Sequence, residues 1–241
     1  MVDYPKLDLL AIAAHRDDTE IVCGGTIIKL VDLNYKVGLL DLTAGESGSR
    51  GDAQSRANEA SCAAQVMGVH FRHNLELPDA GLFLTQENAL AVADIIRKTK
   101  PETVILPYNG WQRHPDHSTA GEIGYRACFL AGLGKMPIDG DPHRPRKIYY
   151  SASFQDVKPT FIVDVSLQFE RKCKAVACYK TQFEEIPGQR EVYPPARNIF
   201  DFMEIQNRRL GYLIGVKYGE AFIQREILSV DDPLKLTGKS I

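Results

Sequence analysis

A chain of 241 residues, 44% hydrophobic and 25% charged, suits one large soluble domain, or at most two small ones, with a core big enough to need no disulfide staples. A net charge of -2 without a basic tract argues against a nucleic-acid surface, and no apolar run reaches the length of a membrane span. The opening MVDYPKLDLL lacks a signal-peptide pattern, and Cys23, Cys62, Cys128, Cys173 and Cys178, odd in number and without a CxxC, read as reduced thiols of a cytoplasmic protein.

In chain order, LDLLAIAA (7–14) is a nearly continuous apolar run, the pattern of a strand buried on both faces. IVCGGTIIKLVDL has helical spacing, and YKVGLLDLT (35–43) is a second strand, so the first unit is β-α-β and its sheet parallel. A polar loop, AGESGSRG (44–51), precedes a helix over 52–68 that Asp52 can cap and Gly68 can end. VHFRHNLEL is a short strand, TQENALAVADIIRKTK an amphipathic helix stopped by Pro101, and ETVILP (102–107) another buried strand. The loop YNGWQRHPDH leads into a helix from about Ser118 to Leu130. Beyond residue 131 come two strand-like runs, KIYYSAS and PTFIVDV, and two helical ones, LQFERKCKAVACYKTQF and NIFDFMEIQNRRLGYLIG. Alternating strands and helices predict an α/β three-layer sandwich, Rossmann-like, with a mostly parallel central sheet and one domain over 1–241.

Ligands of open α/β sheets sit beyond the carboxyl ends of the strands. Three polar segments fall there: HRDD after the first strand, GESGSRG after the second and RHPDH after ETVILP. Acidic residues crowded around a histidine repel one another unless a cation offsets them. In a tight strand-to-helix turn His15 and Asp18 point the same way, and His117 supplies a third ligand of matching type. Two histidines, one carboxylate and a water make an open catalytic zinc site. Asp17 is then placed as general base, His114 as a protonated imidazole for the oxyanion or leaving amine, and Asp116 as the partner that sets the His114 tautomer. In GESGSRG, Glu46, Ser47 and Arg50 belong either to a substrate cradle or to an ordinary loop. Trp111 is equally suited to stacking on a sugar or to packing. His70, His73 and His143 have no acids at ligand spacing, and Gly24-Gly25 forms no dinucleotide fingerprint.

HRDD with Glu20 and Gly24-Gly25, together with RHPDH, TAGESGSRG (43–51), SRANEA (55–60), NLELPD (74–79) and YPPARN (193–198), resembles the LmbE/PIG-L family of zinc-dependent N-acetylglucosamine deacetylases, and most of all their bacillithiol-pathway members. The resemblance implies zinc on His15, Asp18 and His117, Asp17 as base, His114 and Asp116 as the catalytic pair, Arg56 on the substrate and Tyr193 at the carbonyl oxygen. It implies release of acetate from an N-acetylglucosamine conjugate, with N-acetylglucosaminyl malate as the expected substrate, its carboxylates suited to Arg56, Arg50 or Arg113. It also suggests a homo-oligomer such as a hexamer, with no nucleic-acid or membrane partner. The family's proline is replaced by Arg16, a cation expected beside the mouth of the site. The competing readings are a non-catalytic sugar or metal binder, and an amidase on another N-acetylated small molecule.

Overall fold

The computed structural model describes residues 4–110, 112–184 and 198–235. Seven strands form one sheet in the order β3-β2-β1-β4-β5-β7-β6. Strands β1 (Leu9–Ala13), β2 (Val37–Thr43), β3 (Phe71–Leu77), β4 (Thr103–Pro107) and β5 (Lys147–Ser151) run parallel, as the β-α-β pattern predicts. The exception is β7 (Gly219–Ile223), which sits antiparallel between β5 and β6 (Phe161–Asp164). Hydrophobic patterning marks no strand there, because a charged residue, Glu220, falls within the run.

Apolar residues on both faces of β1 explain the layers. Leu10 and Ile12 join the core under α3 (Gln86–Thr99) and α4 (Pro115–Ala131). Leu9 and Ala11 join the core under α1 (Asp18–Asp32), α2 (Ala53–Met67) and α5 (Phe169–Val176). The result is the expected three-layer sandwich. Asp52 caps α2 by accepting from the Ser55 N–H, and Gly68 ends it with φ of 76°.

The predicted helix over LQFERKCKAVACYKTQF is broken. It forms α5 and a single turn, α6 (Lys180–Phe183), separated at Ala177–Tyr179. Here tertiary bonds override helix propensity: the buried Tyr179 hydroxyl lies within hydrogen-bond reach of both the Arg16 carbonyl and Glu20, which share its one proton. The break also sets Cys178 against Cys62 of α2, and the two form a disulfide with Cα atoms 5.8 Å apart. This corrects the expectation of five reduced thiols; Cys23, Cys128 and Cys173 are free.

Helix α1 also departs from regularity, at Cys23 (φ -145°, ψ 18°). The N–H groups freed there donate to Glu220, from Gly25 at 2.9 Å and Thr26 at 2.6 Å. Lys172, fully buried like Glu220, closes the group at 2.6 Å. Gly25 is needed because a Cβ would come within 2.8 Å of the Val165 side chain. The last helix, α7 (Ile199–Ile214), has Asn198 as its cap and covers β7.

Candidate metal centre

The chain moves outward from β1 through β2 to β3, whereas β4 lies on the opposite side of β1. The carboxyl ends of β1 and β4 therefore flank a topological switch point, where open α/β sheets hold ligands. Two helix N-termini meet at it. Asp17 is the N-cap of α1 and Asp18 its first residue. His114 is the N-cap of α4, with Pro115 behind it. Proline is favoured at that position because its missing N–H and fixed φ suit a first turn. So α4 begins before the predicted Ser118, and His117 lies in its first turn.

This brings His15, Asp18 and His117 together. His15 Nδ1 is 3.2 Å from Asp18 Oδ2 and 3.3 Å from His117 Nε2, and His117 Nε2 is 3.1 Å from Asp18 Oδ1. Four tetrahedral ligands at about 2.0–2.1 Å from a zinc ion stand about 3.3 Å apart. The three side chains are thus at ligand spacing, and the donor set of two imidazoles and a carboxylate fits a borderline divalent ion.

The electrostatics agree. Burial opposes a charge on His15, but Asp18, Asp116 and Asp79 outweigh it and push its pKa up to about 12. Burial likewise opposes a charge on His117, and Asp18 reverses that. Burial alone would raise the Asp18 carboxyl, yet the two histidines hold it well below the usual range. The pocket favours positive charge between these groups, whether a proton or a metal ion supplies it. Asp17, its neighbour, goes the other way: burial first and then Asp18 raise it, against Arg56 and His15.

Other expected site residues fall as follows. Arg56 is buried on α2, its Nη2 3.6 Å from Asp17 Oδ1 and its Nη1 donating to the Gly45 carbonyl at 2.8 Å. Gly45, at φ of 73°, leaves room for it: a Cβ would lie 1.9 Å from Nη1. His114 Nδ1 accepts the Asp116 N–H at 3.3 Å, so a neutral ring carries its proton on Nε2. Burial and the charges of His15 and His117 lower the His114 pKa, which works against the imidazolium expected from the sequence. It is the backbone of Asp116 that touches His114; its carboxylate, 2% exposed, faces His15 Nε2 at 3.8 Å.

Glu46 and Ser47, both exposed, are bonded to Asp79. Glu46 accepts the Asp79 N–H at 2.8 Å, and the Ser47 N–H donates to Asp79 Oδ2 at 3.0 Å. Arg50 donates to the carbonyls of Gln182 and Glu184. Arg113 is exposed directly before His114. Arg16 is not at the mouth: it is 7% exposed, and its Nη1 donates to the Ala53 carbonyl at 2.8 Å, tying the first turn to α2. Tyr193 and Trp111 lie outside the described residues.

Two features escaped the sequence reading. Asp79 Oδ1 is 3.0 Å from His15 Nε2, leaving Nδ1 to face Asp18 and His117. A carboxylate behind a ligating histidine fixes its tautomer and orientation. The bond to His15 in turn lowers the Asp79 pKa to about 2. The second feature is Arg72 on β3, which binds Asp41 through two nitrogens, Glu20 at 2.6 Å, and the Arg16 carbonyl. With Tyr179 it fixes the peptide that leads into Asp17. Asp79 belonged to a motif already noted; Arg72 had no motif to mark it.

Fold and site together define an α/β protein with a candidate metal centre of two histidines and a carboxylate at the switch point of its sheet. The model for the family described as PIG-L, GlcNAc-PI de-N-acetylase, matches residues 10–128. Diacetylchitobiose deacetylase of Thermococcus kodakarensis is 35% identical over a 193-residue alignment, with 73% of this chain and 70% of the relative covered. Among solved structures, a conserved protein of Thermus thermophilus superposes with a TM-score of 0.84 at 34% identity, covering 93% of this chain and 98% of that one. N,N'-diacetylchitobiose deacetylase of Pyrococcus horikoshii gives 0.76 at 26% identity, covering 90% and 82%. The chain belongs to the PIG-L family of LmbE-like deacetylases, and it is an enzyme of that class, a hydrolase of amide bonds.

Proposed function

We propose that this protein is a zinc-dependent deacetylase of N-acetylglucosamine conjugates, acting on N-acetylglucosaminyl malate in bacillithiol biosynthesis. The observation that carries the metal-dependent reading is the 3.1–3.3 Å triangle of His15, Asp18 and His117 with Asp17 beside it. Zinc bound there supplies a Lewis acid for the amide carbonyl and lowers the pKa of water in the site. Asp17 takes the proton from the attacking water as the new C–O bond forms. Its raised pKa suits it to hold that proton and pass it on. His114 donates from Nε2 to the oxygen that gains charge. Asp79 and Asp116 hold His15. The C–N bond breaks, the nitrogen takes up a proton, and acetate and a free amine leave. Tyr193 is assigned to the same oxygen as His114 by the resemblance alone.

Arg56, Arg50 and Arg113 are the cations assigned to the malate carboxylates; Arg56 and Arg50 also donate to backbone carbonyls. Glu46 and Ser47 then serve the substrate through Asp79 and not by direct contact. The same reading takes the chain as one domain, cytoplasmic, and a homo-oligomer such as a hexamer. No described helix is long and apolar enough to cross a membrane.

Arg16, the one sequence feature that favoured a non-catalytic binder, is buried and donates to the Ala53 carbonyl. The test is acetate release by zinc-loaded protein from N-acetylglucosaminyl malate, N-acetylglucosaminyl inositol, diacetylchitobiose and free N-acetylglucosamine. The proposal predicts the malate conjugate as the best substrate by kcat/KM. A better rate on another conjugate overturns the bacillithiol assignment, and no release from any of them overturns the deacetylase.

A further inference from the structure

Asp17 lies between His15 and Asp18 but is held differently from either. The His15 N–H donates to Asp18 Oδ2 at 2.9 Å, and the His15 ring faces the same carboxylate. Asp17, the N-cap of α1, makes no capping bond with its side chain. An aspartate at that position ordinarily accepts an N–H of the first turn. The Asp17 carboxylate is spared that bond, so its place depends on the main chain that carries it. On one side the Asp17 carbonyl accepts the Ile21 N–H at 3.2 Å, an ordinary helix bond. On the other side Arg16 precedes the helix, and side chains from β3 and from the end of α5 take its carbonyl.

The side chain from β3 is Arg72, and all five of its N–H donors are engaged. Nε and Nη2 bind Asp41 at 2.8 and 2.9 Å, Nη1 binds Glu20 at 2.6 Å and the Ala60 carbonyl at 3.2 Å, and Nη2 also donates to the Arg16 carbonyl. Asp41 and Glu20, with side chains no more than 1% exposed, hold Arg72 in return. The second side chain is the buried Tyr179, its hydroxyl within reach of the same carbonyl and of Glu20. A peptide unit is planar, so fixing the Arg16 oxygen also fixes the nitrogen and Cα of Asp17. We infer that Arg72 and Tyr179 are positioning residues for the Asp17 carboxylate, which they hold in place through the Arg16–Asp17 peptide. The inference rests on the reading of Asp17 as the base and adds the groups that aim it. Misplacing a reacting group by about 1 Å can cost about 100-fold in rate, so such an anchor is worth a buried network.

The experiment uses the zinc-loaded protein and whichever of the four N-acetylated sugars it hydrolyses fastest. Tyr179→Phe removes the hydroxyl from the Arg16 carbonyl and should lower kcat by about tenfold, with KM and zinc content within about twofold of the parent. Arg72→Lys keeps a cation beside Asp41 and Glu20 but has no fork to reach the carbonyl as well, and should lower kcat at least as far. Thr99→Val removes another buried hydroxyl bond, made to the Ile95 carbonyl at 2.7 Å beside Leu7 and ahead of β1, and should leave kcat within about twofold. A loss that acts through Asp17 vanishes once Asp17 no longer works, so in the Asp17→Asn background Tyr179→Phe should change the residual rate by less than about twofold. Crystals of zinc-loaded Tyr179→Phe should show the Asp17 carboxylate moved by about 1 Å from its place in the parent. A Tyr179→Phe loss that persists undiminished in the Asp17→Asn background, an equal loss in Thr99→Val, an unchanged kcat in Tyr179→Phe, or an unmoved carboxylate overturns the positioning and leaves the deacetylase reading standing. A moved carboxylate in a protein whose parent hydrolyses none of the sugars supports the positioning and overturns the deacetylase reading. Full activity of Asp17→Asn overturns the base and this inference with it.

Discussion

Asp17 and Asp18 are adjacent, identical in chemistry and opposite in condition. Two imidazoles hold Asp18 as a carboxylate, while burial and Asp18 itself push Asp17 up. Such a split is how a site obtains a ligand and a base from the same residue type. Asp17→Asn keeps the shape and removes the base. It should lower kcat by about 10²–10⁴ with zinc content unchanged, as read by steady-state kinetics beside metal analysis. Loss of zinc in that variant would instead make Asp17 a ligand. Asp79→Asn removes the charge behind His15 and should weaken zinc affinity by about 10–100-fold in a chelator competition. An unaltered affinity would leave the 3.0 Å contact without a role. At this scale the sequence was informative where residue types were dense. HRDD and RHPDH announced a cation site, but Asp79 reaches His15 across 64 positions and only folding reveals it.

Among the elements, the segments that place the site are those with interrupted regularity. Helix α1 breaks at Cys23 and α5 stops before Tyr179. Periodicity could find both helices and neither break, because the bonds that stabilise the breaks come from Glu220, Glu20 and the Arg16 carbonyl. The same stop seats Cys178 on Cys62, joining residues 116 apart. Closing a loop of that length restrains the unfolded chain, so replacing both cysteines by alanine should cost about 2–4 kcal/mol in urea unfolding. Mass spectrometry of unreduced peptides checks the bond itself. Two free thiols at these positions in protein purified without reductant would contradict it.

For the whole molecule, the parallel part of the sheet was legible because strands covered on both faces are apolar throughout. The antiparallel strand β7 was not, since Glu220 interrupts its pattern and is compensated by distant groups, the Gly25 and Thr26 N–H groups of α1 and the Lys172 cation of α5. Removing Lys172 leaves that carboxylate buried without a cation. Lys172→Ala should destabilise the protein by about 3–5 kcal/mol in urea unfolding, whereas breaking an exposed pair such as Lys174 and Glu170 should leave the unfolding midpoint unchanged. Equal effects would place the Lys172 group in solvent. The largest consequence of the architecture is that β1 and β4, far apart along the chain, are neighbours in the sheet. The turn after β1 and the first turns of α1 and α4 deliver His15, Asp18 and His117 to one point. X-ray absorption at the zinc edge, with metal analysis of the same sample, reads that point directly. One zinc per chain with two imidazole nitrogens and a shell otherwise of oxygen is predicted, lost in His15→Ala and in His117→Ala. Sulfur in the shell, or full zinc retention in both variants, would contradict it.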